Sequence, residues 1–126
     1  MFYRLKDLRR KIKYAIQRVS KGYDDCDVFE FYDSFIKRNI KILKDFKKNL
    51  QGHPGNLTDE EWNNVLQEII DCLKNSDEDK VIQKLFGDDF YDNWSIEKQK
   101  QVDEFREHNK NKAFELLNQW FFNLWD

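Results

Sequence analysis

The chemically versatile side chains of this 126-residue chain gather in a few short segments. Asp24, Asp25 and Asp27 follow a basic stretch, and His53 lies in the loop that holds the only proline. Carboxylate oxygens and an imidazole nitrogen are competent ligands for a divalent cation, so a metal-dependent hydrolase would draw on these residues. Their spacing matches neither a calcium-binding loop nor a paired-histidine motif. We favour a structural interpretation, in which Asp24 or Asp25 caps a helix and His53 lies in a solvated loop.

The remaining nucleophiles give little support for catalysis. None of the serines has a glycine-rich elbow, and the four glycines are too scattered to cradle a phosphate. Cys26 and Cys72 lack metal-ligand spacing, so we expect two buried thiols in a reducing compartment. We therefore expect no enzyme, no cofactor and no metal site.

Helices must position these residues, because the chain is poor in residues that break helices. It contains one proline and four glycines, and strand-like alternation is absent from its pattern. The prediction is an all-α fold, a helical bundle of four to five helices with a long C-terminal helix, in a single domain over residues 1–126. Apolar spacing places the helices at 2–20, 26–50, 59–74, 79–86 and 96–124.

Local capping signals fix two of the helix starts. Thr58 and Glu61 stand in the spacing of a capping box, and Leu57 and Trp62 have the spacing of a hydrophobic staple. Ser95 is placed to cap the last helix, and Gly22 and Gly87 are placed to end the helices over 2–20 and 79–86. Most of the conspicuous loop around residues 53–62 is therefore explained as architecture.

Charge is distributed unevenly along the chain. Residues 1–21 carry eight basic groups against one acidic group, a net of +7, although the whole chain is −2. The predicted basic contact face consists of Arg4, Arg9, Arg10, Lys13 and Arg18. Such a face suits nucleic acid phosphates or an acidic protein surface. The alternative is pairing within the chain with the acidic block, which consists of Asp24, Asp25, Asp27, Glu30 and Asp33. We do not expect a membrane partner, because the apolar side of this helix has the pattern of a core face.

The C-terminal end is apolar around its whole circumference. Trp120, Phe122 and Trp125 form the predicted aromatic contact end, since a helix cannot bury all of them on one side. This surface would suit a partner protein or a second copy of the chain, giving a homodimer.

A longer pattern resembles a known group of proteins. It consists of Gly22-Tyr23-x-Asp25-x-Asp27-Val28 and, downstream, Gly52-x-Pro54-x-x-Leu57-Thr58-x-Glu60-Glu61-Trp62-x-x-Val65-Leu66-x-x-Ile69. The pattern resembles an uncharacterised family of small bacteriophage and prophage proteins over about residues 20–74. Phe29 departs from the tryptophan usual at that position. The resemblance implies a phage origin and a host-cell setting but no established activity, so it assigns no catalytic residues.

These observations lead to one expectation and three alternatives. We expect a small cytoplasmic phage-type protein that acts by binding, as an inhibitor or modulator of a host protein such as a component of a defence system. The alternatives are a nucleic-acid-binding protein that uses the basic N-terminal helix, a nucleotide-sequestering protein, and a structural or assembly protein.

Overall fold

The computed structural model describes residues 2–125, and within that range its regular secondary structure is entirely helical, without strands. The six α-helices are α1 (Phe2–Lys21), α2 (Asp25–Phe29), α3 (Phe31–Lys48), α4 (Asp59–Lys74), α5 (Glu78–Leu85) and α6 (Ile96–Trp120). A short 3-10 turn, Gly87–Phe90, lies between α5 and α6, and a second one, Phe121–Asn123, follows α6. The all-α prediction is confirmed, including the long C-terminal helix.

The chain divides into two compact units. The first is Met1–Phe35 and the second is Ile36–Asp126, so α3 begins in the first unit and continues into the second. The expectation of a single domain stays a prediction.

The predicted helix starts are confirmed by their hydrogen bonds. The hydroxyl of Thr58 accepts from the backbone N–H of Glu61 at 3.2 Å, and the Glu61 carboxylate accepts from the backbone N–H of Thr58 at 3.0 Å. Ser95 caps α6 through the N–H of Lys98. Asp24 is the cap of α2, which settles the choice that the sequence left between two aspartates. These starts were predictable because capping is a contact between near neighbours.

The predicted helix over 26–50 is wrong, because the chain breaks at Glu30. That residue has φ −126° and ψ 57°, and its N–H donates to the carbonyl of Cys26. The result is one short helix and one long helix, so residues 2–125 contain more helices than predicted. The predicted helix over 96–124 is also too long, because α6 ends at Trp120. Gly22 and Gly87, which were expected to end helices, have φ of 85° and 75°.

The core of the second unit lies among α4, α5 and α6. Its fully buried side chains come from all three helices and from the 3-10 turn Gly87–Phe90 between α5 and α6. The largest are Trp62, Phe90, Leu66, Ile69, Ile70, Leu73, Val81 and Val102. α3 contributes Ile36, Ile40 and Leu43 to the buried set. The apolar pattern of residues 26–50 also predicts core positions for Val28 and Tyr32, but both are exposed.

A polar link joins α6 to the junction before α5. The Arg106 guanidinium donates through Nε to the carbonyl of Ser76 at 2.9 Å and through Nη1 to Glu78 at 3.1 Å. Ser76 and Asp77 are buried at this junction, so the guanidinium satisfies a carbonyl that water reaches poorly. The junction between α4 and α5 is therefore tied to the middle of α6.

Candidate partner-binding surfaces

The polar side of α1 faces the loop that leads into α2. The Gln17 amide donates to Asp25 at 3.1 Å and accepts from the Asp25 backbone N–H at 2.9 Å. Arg18 pairs with Asp24 at 2.7 Å, and Lys13 pairs with Asp25 at 3.2 Å. The hydrogen bond from Gln17, together with Lys13, lowers the pKa of Asp25 from its usual value. The first unit is thus held together by polar contacts at the C-terminal half of α1.

The predicted basic face is only partly available to a partner. Arg10 pairs with Asp7 at 2.6 Å, while Lys13 and Arg18 are engaged with the acidic block. Arg4 and Arg9 are exposed, and neither forms an ion pair with another residue of the described range 2–125. Intramolecular pairing therefore accounts for part of the charge asymmetry, and the N-terminal half of α1 keeps an excess of cations.

The apolar side of α1 is exposed along its whole length, which contradicts its predicted place in the core. We call this surface the apolar stripe, formed by Phe2, Leu5, Leu8, Ile12, Ile16 and Val19. These side chains are between 50% (Ile12) and 89% (Val19) exposed, and α1 has no buried residue. Helical periodicity identified the stripe correctly. Periodicity alone does not say what covers a face, and no residue of the first unit covers this one.

The C-terminal aromatics divide into an anchored residue and an exposed group. Trp120 is half-buried and packs edge-on against the buried Trp62, with ring centroids 5.7 Å apart, so only part of it is accessible to a partner. Its role as a contact residue stays a prediction. Phe121, Phe122 and Trp125, here called the aromatic cluster, are 61%, 88% and 77% exposed. Phe121 and Phe122 contact each other edge-on at 5.4 Å.

A cavity of about 290 Å³ lies beside the aromatic cluster. Its lining comes from the loop after α3, from α4 and from the C-terminal segment, and comprises Gly52, His53, Pro54, Gly55, Trp62, Asn123 and Trp125. The Nδ1 of His53 lies 2.8 Å from the carbonyl of Pro54, and its Nε2 lies 3.7 Å from a carboxylate oxygen of Asp59. Sequence reasoning singled out this loop without placing it against the C-terminus, because the two segments are far apart in the chain.

The groups considered for chemistry are engaged in structural contacts. Asp24 forms a capping box with Asp27, whose carboxylate also accepts from the hydroxyl of Ser34. Across residues 2–125, no group of three His, Cys, Asp or Glu side chains is arranged to hold a metal ion. The hydrogen bond that Asp24 accepts from the backbone N–H of Cys26 agrees with the interpretation of this aspartate as a cap.

The two thiols have different environments. Cys72 is buried, and that burial raises the pKa of its thiol, which disfavours the thiolate form that nucleophilic attack needs. Cys26 is exposed, so the expectation that both cysteines are buried is wrong for it. No disulfide joins them.

Neither a membrane-spanning helix within residues 2–125 nor a known relative was found for this chain. Within residues 2–125 no helix combines the length and apolar character needed to cross a bilayer. The chain matches no protein-family model, and no curated protein or solved structure is significantly similar to it.

Proposed function

We propose that this chain is a small phage-type protein that acts by binding a host protein, as an inhibitor or modulator of, for example, a defence-system component in the host cytoplasm. The phage setting rests on the resemblance of residues 20–74 to phage and prophage proteins. The binding role rests on the surface of the second unit.

The observation that carries the proposal is the exposure of the aromatic cluster at the end of an anchored helix. Phe122 and Trp125 expose 88% and 77% of their surface. An exposed aromatic group of this kind is typical of interaction sites, and Phe and Trp are frequent anchors in protein interfaces. The contact between Trp120 and Trp62 fixes the end of α6, so the cluster is presented on a fixed support. Such a support lowers the entropy lost on binding.

The cavity beside the cluster supplies the second half of a protein-binding surface. Trp125 lines it together with His53 and the buried Trp62. A partner that covers the cluster could insert one side chain into this cavity. The cavity lining contains neither lysine nor arginine, so it lacks the cations that a nucleotide phosphate needs. At this cavity, the lining therefore favours a protein side chain over a nucleotide.

Affinity capture from host cells with a matched set of variants tests the proposal. The full chain should retain a defined host protein, and Phe122→Ser combined with Trp125→Ser should lose it. Truncating two anchor residues costs at least about 2 kcal/mol, which is roughly a 30-fold loss of affinity. Tyr3→Ser, which changes an aromatic that is 83% exposed in α1, is the matched control and should retain the protein. Equal capture by the wild-type chain and the double variant would contradict the proposal.

The oligomeric state must be measured on the same proteins, because a second copy could cover the aromatic cluster. Light scattering should show a monomer for both the wild-type chain and Trp125→Ala. A wild-type dimer that Trp125→Ala converts to a monomer would instead assign the cluster to self-association, as in a structural or assembly protein.

A further inference from the structure

We propose that α1 is a membrane-surface helix, which lays its apolar stripe into the headgroup region of a bilayer that contains anionic phospholipids. This inference concerns the first unit and does not depend on the partner proposed for the aromatic cluster. It requires no spanning segment, since a helix of this kind lies in the plane of the interface.

The first step is that the apolar stripe is continuous and uncovered. From Phe2 to Val19 it extends about 26 Å at ~1.5 Å per residue. Every one of its side chains is at least half exposed, including Ile12 at its centre. A face that is this long and apolar is costly to leave in water, so it requires an apolar medium or partner.

The second step is that the first unit already holds α1 by its opposite side. Gln17 and Arg18 bond to the two aspartates at the start of α2, at 2.9–3.1 Å and 2.7 Å. Tyr14, on the same side, is half-buried. The stripe is thereby directed away from the unit, and the helix does not have to fold when it binds.

The third step is the placement of charge. At 3.6 residues per turn, Lys6 and Arg9 lie along one edge of the stripe, while Arg4 and Lys11 lie along the other edge. Asp7 is the only carboxylate of α1, and it lies on the far side of the helix, paired with Arg10. Long basic side chains on both edges of an apolar face reach the phosphate groups of a membrane while the face itself is inserted.

An anionic bilayer offers both an apolar medium for the stripe and anionic groups for its basic edges. A second copy of the chain, a nucleic acid or a protein groove meets these two requirements less well. A second copy docked through the same stripe would bring two helices of net charge +7 together. A nucleic acid would neutralise the cations but leave the apolar stripe in water. A protein groove would need carboxylates along both rims over about 26 Å, whereas a membrane presents its anionic groups uniformly.

Vesicle flotation with the full chain tests the proposal. The wild-type chain should float with phosphatidylcholine vesicles that contain roughly one-third phosphatidylglycerol and should stay behind with pure phosphatidylcholine. Binding should fall as salt is raised from about 0.05 M to about 0.5 M, because the Debye length shrinks. Arg9→Glu with Lys11→Glu replaces two attractive charges and should lower the partition coefficient at least about 25-fold. Leu8→Gln with Ile12→Gln should abolish flotation.

Matched controls separate this mechanism from general charge effects. Lys41→Glu with Lys48→Glu makes the same change of net charge in α3, at two exposed positions, and should leave flotation unchanged. Circular dichroism should show equal helicity for all variants, since every altered side chain is exposed. Loss of flotation in the α3 control, or flotation that survives Leu8→Gln with Ile12→Gln, overturns the proposal. Failure of the wild-type chain to float also overturns the proposal. A wild-type dimer would then favour the second copy, and retardation of DNA at low salt would favour the nucleic acid.

Discussion

Replacing Arg106 tests whether the polar link between α6 and the α4–α5 junction stabilises the second unit. Arg106→Met keeps the aliphatic stem but removes both donors, so the carbonyl of Ser76 is left without its bond in a buried position. A hydrogen bond to a charged group contributes about 1.5–3 kcal/mol, and we expect a loss of about 2 kcal/mol. The ion pair with Glu78 adds little, because that carboxylate side chain is 44% exposed and screened by water.

Thermal and urea unfolding measure this loss. For a cooperative unit of roughly 90 residues, a loss of about 2 kcal/mol lowers Tm by about 10 °C. Glu78→Gln should cost less than about 0.5 kcal/mol, because it removes only the screened pair. Arg106→Lys should lie between the two, since an ammonium group reaches one acceptor but cannot form the guanidinium fork. If Glu78→Gln costs as much as Arg106→Met, the ion pair and not the Ser76 carbonyl is the stabilising contact, and the reasoning is refuted.

Two further predictions concern local contacts of the second unit. Thr58→Ala removes the capping box of α4 and should lower the free energy of unfolding in urea by about 1 kcal/mol. Thr58→Ser should be nearly neutral. Equal stability of the wild-type chain and both variants would show that the capping box contributes nothing. Lys44→Gln should raise Tm at neutral pH, because the charges of Lys74 and Lys80, together with burial, lower the pKa of Lys44. Because the pKa of Lys44 is lower in the folded chain than in the unfolded one, the stability of the wild-type chain should rise with pH between these two pKa values. The stability gained by Lys44→Gln should therefore shrink as the pH approaches 10.5, the usual lysine value. A gain that does not change with pH would contradict this account.

Features that depend on near neighbours were predictable from the sequence. The start of α4 at Thr58, the start of α6 at Ser95 and the helix-ending glycines were all identified, because each is decided within four or five residues. The all-α class was predictable for the same reason, since few residues interrupt the helical pattern.

The candidate surfaces were only half predictable. Periodicity identified the apolar stripe of α1, and composition identified the aromatic C-terminus. The sequence gives no information on which faces meet, so the stripe was wrongly assigned to the core and the packing of Trp120 against Trp62 was not predicted. Both features depend on residues distant in the chain, such as Trp62.

The sequence by itself determined the helical class, most helix boundaries and the excess of cations at the N-terminus, because these follow from local propensity, capping and composition. Tertiary structure alone decided three things: the break at Glu30, the pairing of Arg18 and Lys13 with the acidic block, and the exposure of the apolar stripe. Each reflects a competition among contacts that no single segment contains. The acidic block binds the polar side of α1, and that choice directs the apolar side outward.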